Sequence, residues 1–363
     1  MFSRVSRHSI RNILTAIFVF LTFFIAQANE PAATEAEGHT EATAEHEENF
    51  DIIGHVLDAH DWHVAGHFSI PLPCIVYTPE FGLEVFMSSK FEPEHGEIRH
   101  YSHFELNKNT IHLVDENTHE IKEDATLYDL SITKVTLSVF IGAFLVLVIF
   151  LTVAKGYRKR EGKAPKGLQS FMEPLIIFVR DDVARPSIGK KYEKFMPLLL
   201  TIFFFIFIVN LLGLVPFFPG GINTTGNISI PLFFAALVLI IVAVIANKHY
   251  WQHILAMPGV PVWVLFLLTP IEILGFFIRP FVLMVRLFAN ITAGHIIALA
   301  FYSLIFIFGQ KSIGAGYGVS VMSIVFAVFM SLLELLVAFL QAFVFTLLTA
   351  IYIGSAIEEP HHH

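Results

Sequence analysis

The chain has 363 residues, a formal net charge of −8 and a mean hydropathy of +0.66, and only 15% of its residues are charged. This balance excludes a single soluble globule and favours a membrane protein with several spans and a polar appendage. The net charge hides an asymmetry, because acidic residues concentrate near the N-terminus whereas basic residues flank the first span of the membrane region.

Residues 1–28 have the pattern of a secretory signal peptide. A basic start, an apolar stretch and a small-residue cleavage motif follow one another; they are Arg4, Arg7 and Arg11, then Ile13–Ile25, then Ala26-Gln27-Ala28. The alternative is an uncleaved first transmembrane helix. Either interpretation places the residues that follow outside the cytoplasm.

Two polar segments come next. Residues 29–49 are rich in glutamate and contain no lysine or arginine, which predicts a disordered segment. Residues 50–130 are predicted to form a small extracytoplasmic α+β domain, with short strands where β-branched and aromatic residues cluster. These strands are Cys74–Tyr77, Leu83–Met87 and Thr110–Val114. Cys74 is the single cysteine of the chain, so no intrachain disulfide can form.

Histidines are frequent in the same domain. His60, His63 and His67 are spaced so that one helix face could present all three to a metal ion. No second ligand set of recognised spacing follows, and scattered histidines are common on exported polar surfaces. The sequence therefore predicts no metal site.

A membrane domain is predicted over residues 131–359, followed by a short tail at 360–363. Its first span is Val135–Ala154, and a cluster of lysines and arginines between Lys155 and Lys166 follows directly. The positive-inside rule makes this loop cytoplasmic. In a bacterial inner membrane, residues 50–130 would then be periplasmic and the C-terminus cytoplasmic.

The next segments alternate between apolar runs and breaks. Leu168–Val183 mixes apolar and charged residues, as a helix along the cytoplasmic interface does. The remaining segments are a second span at Pro197–Pro216 that contains Asn210, a turn at Phe218–Gly226, a third span at Ile228–Ala246, and a short apolar stretch at Val260–Leu268.

Two long helices close the chain, from about Pro270 to Phe308 and from about Val319 to Ile357, with a turn at Gly309–Gly318. Each has about 40 residues and would be ~58 Å long, roughly twice a perpendicular crossing, so the pair must tilt or bend. The predicted fold is an all-α polytopic membrane protein with about five transmembrane helices and an interfacial helix, ending in a long tilted antiparallel hairpin.

Arg286 lies within the apolar run Pro280–Phe288. A guanidinium at mid-membrane costs roughly 2.5–3.5 kcal/mol on insertion scales, and arginine keeps its charge there. No acidic residue lies within one helical turn of Arg286 to neutralise it, whereas Asn290 lies one turn further along the same face. We therefore expect Arg286 to be functional.

Further polar residues pair by depth, because residues at one level of an antiparallel hairpin have position numbers with a nearly constant sum. The three pairs are Arg286 with Gln341, His295 with Glu334, and Glu272 with Glu358. Histidine and glutamate can both exchange protons when their environment tunes them. From the residues alone, His295 and Glu334 fit a proton route and a structural ion pair equally well.

These residues carry a resemblance to a known family. The first motif is Arg286-Leu287-Phe288-Ala289-Asn290 with Ala293-Gly294-His295, and the second is Leu340-Gln341-Ala342-Phe343-Val344-Phe345 continuing through Leu348-Thr349-Ala350-Ile351-Tyr352. Over roughly residues 130–359 the chain resembles subunit a of F-type ATP synthases. In some members the histidine and the glutamate are exchanged. Since one histidine and one glutamate are kept at matching depth in both arrangements, the exchange favours the proton route over a structural ion pair.

The resemblance implies a stator subunit that conducts protons between two offset half-channels against a rotating ring of c subunits. Arg286 would face the ring carboxylate, and the proton pathway would involve His295, Glu334, Glu272, Asn290, Gln341 and Asn210. The implied partners are the c-ring, b-type peripheral stalk subunits and lipid, without nucleic acid, cofactor or metal. The chain would be no enzyme by itself, since it has no Gly-x-x-x-x-Gly-Lys-Ser/Thr phosphate loop.

The sequence argues against two other functions. A secondary ion-coupled transporter would usually show repeated halves with broken helices at matching positions, and no such repeat is visible. A membrane haem or quinone protein would need two intramembrane histidines as haem ligands, whereas only His295 is clearly at membrane depth.

Overall fold

A computed structural model describes residues 58–358, apart from gaps at 66–67, 96–97, 108–109, 115–120, 123–125, 216–220, 223, 256, 258–259 and 312. The predicted signal peptide and acidic segment lie outside the described residues, as does the C-terminal tail. The chain divides into two compact units, residues 1–137 and 138–363.

The described part of the first unit is built from antiparallel strands. These are β1 (Asp61–Ala65), β2 (Phe68–Pro71), β3 (Pro73–Thr78), β4 (Gly82–Met87), β5 (Glu92–His95), β6 (Ile98–Tyr101), β7 (Phe104–Asn107), β8 (Thr110–Leu113) and β9 (Tyr128–Asp129). They form sheets ordered β1-β2, β4-β3-β9 and β5-β6-β7-β8. The three strands predicted from sequence are confirmed as β3, β4 and β8.

The core of this unit explains the alternation along β3 and β4. Cys74, Val76 and Phe86 point inward and pack with Phe91 and Phe104 from neighbouring segments. The proposed helix face for His60, His63 and His67 is wrong, because β1 begins at Asp61 and places His63 in a strand. Among the described residues no cluster of metal-ligating side chains occurs.

The second unit is helical. Its elements are α1 (Lys134–Lys159, which begins in the first unit), α2 (Leu168–Phe178), a π-helical stretch (Val179–Ala184), α3 (Arg185–Ile188), a 3-10 turn (Gly189–Lys191), α4 (Tyr192–Leu214), a 3-10 turn (Thr224–Gly226), α5 (Ser229–Ile245), α6 (Lys248–Leu255), α7 (Val262–Lys311) and α8 (Ile313–Ile357). The spans predicted near α1, α4 and α5 are therefore helices.

Three helical stretches of the described chain are long and apolar enough to cross a membrane, namely Lys134–Lys159, Leu168–Leu214 and Val319–Ile357. A fourth arises if α5 and α6, which meet at a bend of 108°, count as one broken span. The chain is thus a polytopic helical membrane protein, and the count of five spans stays a prediction.

The boundaries of the two last helices differ from the sequence prediction. Val260–Leu268 is no separate stretch, because α7 begins at Val262, and the predicted turn at Gly309–Gly318 is almost wholly helical. Glycine lowers helix stability by only about 1 kcal/mol. In an apolar layer the helix is favoured, because it satisfies the hydrogen bonds of its own backbone. α7 and α8 pack along one another, with Phe301 and Phe326 stacked at 5.2 Å between ring centroids.

The core of the second unit lies where α4, α5, α7 and α8 meet the π-helical stretch. Val179, Leu199, Phe203, Leu287 and Phe345 are all buried there. Much of the contact is between aromatic rings, which fill large volumes without needing polar partners. This packed core fixes one side of α7 and leaves its other side exposed.

Candidate functional site

The exposed and packed sides of α7 separate cleanly around Arg286. Leu283, Met284 and Leu287 are buried in the core, whereas Val285 and Arg286 are exposed. Successive helix residues are rotated by about 100°, so these positions define two faces of one helix. Arg286 therefore stands on an outward face of the unit, amid exposed apolar side chains.

Arg286 makes no ion pair with any described residue. The acidic residue nearest in sequence on its helix, Glu272, is instead 3.7 Å from the guanidinium of Arg279. Thus no carboxylate in the described part of the chain forms an ion pair with Arg286. This agrees with the sequence observation that no acid lies within one turn.

Gln341 lies on the packed side of α8. Its side chain is only 5% exposed, and Ala338, Ala342 and Phe345 share the buried surface. Small residues at this level let helices approach closely. The structure therefore places Gln341 inside the helix packing, while Arg286 is outward. A direct contact between them remains a prediction.

Glu334 abuts α7 at the residue before His295. A Cβ atom built on Gly294 would lie 2.9 Å from the Oε1 atom of Glu334, so the glycine leaves room for the carboxylate in this position. Glu334 therefore meets α7 within one residue of the level that the depth rule predicts. His295 and Asn290 lie in the α7 helix, and their side chains are outside the described part of the structure.

Asn210 belongs to a buried polar cluster at the end of α4. The hydroxyl of Thr225 donates to Asn210 Oδ1 at 2.9 Å, and Thr224 and Ser138 hydroxyls lie 2.7 Å apart. Asn210 is 5% exposed, and its buried amide nitrogen has no partner among the described residues. A buried, unused donor in a polar site of this kind suits an ordered water molecule.

Glu272 and Glu358 line the same polar cleft, which has a volume of about 260 Å³. His249, Tyr250, His253 and Arg279 complete its charged and titratable lining. The bend between α5 and α6 brings the two histidines here, because the Asn247 amide donates to the Ala356 carbonyl of α8 at 2.8 Å. The structure thus brings together the Glu272–Glu358 pair that the sequence matched by depth.

A smaller space of about 10 Å³ adjoins the cleft and shares Tyr250, Phe276 and Arg279 with it. Its lining also includes Pro280 and Tyr352. This volume is at the lower limit for one water molecule. Its lining is mostly apolar, with Tyr250, Arg279 and Tyr352 as the polar side chains, and it reaches along α7 as far as Pro280.

Sequence reasoning missed three participants: Thr225, Arg279 and the histidine pair of α6. Arg279 could have been found, because a residue seven positions after Glu272 returns to the same helix face. Thr225 and the histidines gave no such signal, since a turn and a bend bring them to their partners.

Comparison with known proteins agrees with this arrangement. The family model described as ATP synthase A chain matches residues 136–354, and a model described as a domain of unknown function (DUF8433) matches residues 51–130. ATP synthase subunit a 2 of Chlorobaculum tepidum is 44% identical over 242 residues, covering 65% of this chain and 66% of the relative.

Two further relatives give the same result. ATP synthase subunit a of Chloroherpeton thalassium is 41% identical over 243 residues, which is 65% of this chain and 69% of the relative. ATP synthase subunit a of Myxococcus xanthus is 37% identical over 242 residues, which is 65% of this chain and 76% of the relative. Because the family model covers more than half of the chain, from residue 136 to residue 354, the chain belongs to the ATP synthase A chain family.

Proposed function

We propose that this chain is the proton-conducting stator subunit of the membrane sector of an F-type ATP synthase. The observation that carries the proposal is Arg286, a permanent cation on an outward apolar face of α7 without a carboxylate in the described chain. The relatives are named as ATP synthase subunit a. ATP chemistry would take place on other subunits.

The position of Arg286 requires an anion from another protein. A guanidinium in an apolar layer is costly unless it meets an opposite charge. A ring of c subunits would present one buried carboxylate after another to this face. Each carboxylate must be neutral while it faces lipid and would ionise opposite Arg286, which favours its charged form. The cation would also block direct proton flow past the ring.

The cleft around Glu272 and Glu358 supports one of the two half-channels. It is lined by titratable groups, and a small, mostly apolar space beside Tyr250 and Arg279 extends from it to Pro280. Protons released from the ring would leave by this route. The basic cluster between Lys155 and Lys166 favours a cytoplasmic position for this end of the domain.

The other half-channel would run past Glu334 and His295. Glu334 fits against Gly294 on α7, so the two helices bring its carboxylate beside the residue that precedes His295. The polar cluster of Asn210 and Thr225 supplies further groups that can hold water. Protons would enter here from the periplasmic side, driven by roughly 2.3 kcal/mol per charge for every 100 mV.

Substitution of Arg286 tests the proposal. We expect Arg286→Ala to abolish ATP synthesis driven by an imposed proton gradient in membrane vesicles, while the complex still assembles with its c-ring and peripheral stalk. Arg286→Lys should also fail, because lysine can lose its proton in an apolar site. Val285→Ala is the matched control, since Val285 is exposed on the same helix face and carries no charge.

The outcome separates this function from its rival. Coupled synthesis at a normal rate in Arg286→Ala vesicles would overturn the assignment of the arginine. If the purified chain transported a solute with protons and no ring of small subunits copurified, the secondary transporter would be favoured instead.

A further inference from the structure

The sheet β4-β3-β9 of the first unit has an apolar outer face. In antiparallel sheets with one buried face, the other face is usually polar. Here Leu83 and Val85 of β4 are 62% and 64% exposed, and Tyr128 of β9 is 57% exposed. Tyr77 of β3 and Met87 of β4 are also exposed. The inward side chains of the same strands fill the core.

Strand register shows that these residues form one continuous surface. Tyr77 pairs with Leu83 on one side and with Tyr128 on the other, while Ile75 pairs with Val85 and Pro73 with Met87. Leu130 follows β9 and donates its amide to the Ile75 carbonyl at 2.8 Å. We call these eight residues the outer patch: Pro73, Ile75, Tyr77, Leu83, Val85, Met87, Tyr128 and Leu130.

The outer patch contains no charged residue. The polar groups of the outer patch are the two phenols, whose rings lie 6.2 Å apart at one end of the sheet. Tyrosine beside aliphatic residues is the composition that proteins place at a membrane–water boundary.

The chain keeps the sheet that carries the outer patch close to a membrane. After β9, hydrogen bonding to β3 continues, with the Ile132 amide donating to the Pro73 carbonyl at 3.0 Å. The next amide to bond to this unit, that of Lys134, belongs to the first turn of α1 and donates to Ala59 at 2.9 Å. α1 is an apolar span. Five residues reach at most ~17 Å, so β9 cannot lie far from the bilayer.

From these observations we infer that the outer patch is a lipid-binding surface, which rests on the membrane leaflet where α1 enters and inserts its aliphatic side chains among the acyl chains. The phenols of Tyr77 and Tyr128 would stay at the headgroup level. The occupant is the bilayer itself, and a protein partner or the N-terminal segment of this chain is the competing outcome of the test.

Site-directed fluorescence in the intact complex tests this inference. The single native cysteine does not interfere, because Cys74 is fully buried and burial raises the pKa of its thiol to about 12. An environment-sensitive fluorophore is attached at Val85→Cys, with the exposed Lys90→Cys and the half-buried Lys122→Cys as polar controls in the same unit. The complex is placed in phosphatidylcholine nanodiscs with or without doxyl-labelled lipid.

We expect doxyl lipid to quench the Val85 label at least about twofold more than either control, as for a surface that penetrates the headgroup–acyl boundary. A charge on the outer patch should weaken its contact with lipid. A label at Leu83→Cys should therefore lose its quenching when Val85→Glu is added. The uncharged Val85→Thr should leave that quenching unchanged. Both positions are exposed, so neither change disturbs the core.

Three results would overturn the inference. Equal quenching at Val85 and the controls would show that the face has no special relation to lipid. A Val85 label that resists doxyl lipid but is open to aqueous iodide would show an uncovered surface. A label shielded from both quenchers would show that protein, either a partner or the N-terminal segment of this chain, covers the outer patch.

Discussion

Glu334 is a titratable residue that lies between the two long helices. Its carboxylate fits against Gly294, directly before His295, so its removal should affect proton movement more than helix packing. We expect Glu334→Ala and His295→Ala each to slow proton uptake into vesicles by at least about tenfold, since positioned proton-transfer groups contribute factors of about 100 to 10,000. Dye-monitored uptake with a normalised amount of complex measures this.

The matched control for Glu334 is Ser331→Ala, one turn earlier on α8. Within the described part of the chain, the hydroxyl of Ser331 donates to the Ala327 carbonyl of its own helix at 2.9 Å and to no other group, so its loss should leave proton uptake unchanged. If both Glu334→Ala and His295→Ala conducted protons normally and only the thermal stability of the complex fell, the two residues would form a structural ion pair.

Single functional residues were predictable from the sequence where burying them in an apolar layer would cost free energy. Arg286 and Glu272 stand out because a charge in an apolar run is expensive wherever the chain folds. Thr225 gives no such signal, since threonine is common in turns and only the fold brings its hydroxyl 2.9 Å from Asn210. The exposure of Arg286 could not be predicted from the sequence either, because the neighbouring helices decide which face of α7 packs against the core.

Among the helices, α8 lies directly against the backbone of α3 at Gly354. A Cβ atom there would overlap the Ser187 carbonyl oxygen of α3, and backbone cannot yield as a side chain can. We expect Gly354→Ala to destabilise the subunit by about 1–3 kcal/mol, as overpacking does. The measurements are the unfolding temperature and the yield of assembled complex.

Gly275→Ala on α7 is the matched control for this prediction. Its Cβ would meet only the side chain of Arg279, at 3.9 Å, and alanine favours helix by about 1 kcal/mol over glycine. Gly275→Ala should therefore be neutral or stabilising. A Gly354→Ala subunit as stable as the wild type would mean that α3 can shift away from α8 at little cost.

Helices were predicted better than their ends. Long apolar runs identify α1, α4 and α5 because each must satisfy its own backbone in an apolar layer. The prediction of a turn at Gly309–Gly318 was wrong, because helical backbone also satisfies its own hydrogen bonds there. Glycine alone does not end a helix in an apolar layer. The histidine spacing between His60 and His67 was misread as helical because local spacing cannot reveal the pairing of β1 with β2.

At the scale of the whole molecule, the two units have separate cores. The core of the first unit is formed between Cys74 and Leu113, and that of the second lies between Val153 and Ile357. The two family models likewise match separate segments, 51–130 and 136–354. Separate cores allow one unit to fold without the other. We therefore expect the second unit to retain its function without the first.

Deletion of residues 29–130 tests this independence and leaves 1–28 joined to Ser131. Ser131–Thr133 are kept because the Thr133 hydroxyl accepts a hydrogen bond from the Thr136 amide at 3.3 Å and so caps α1. The deletion removes the bonds from Lys134 and Val135 to Ala59 and Asp58, which should cost about 1 kcal/mol each.

We expect the shortened chain to assemble with the c-ring and to support ATP synthesis driven by a proton gradient, because every residue assigned to the proton pathway lies in the second unit. Adding Arg286→Ala to the deletion should abolish that synthesis, which shows that it uses the proposed pathway. If the shortened chain is inserted in the membrane but no longer assembles, the first unit must hold a contact on which the complex depends, and the two units are then functionally inseparable.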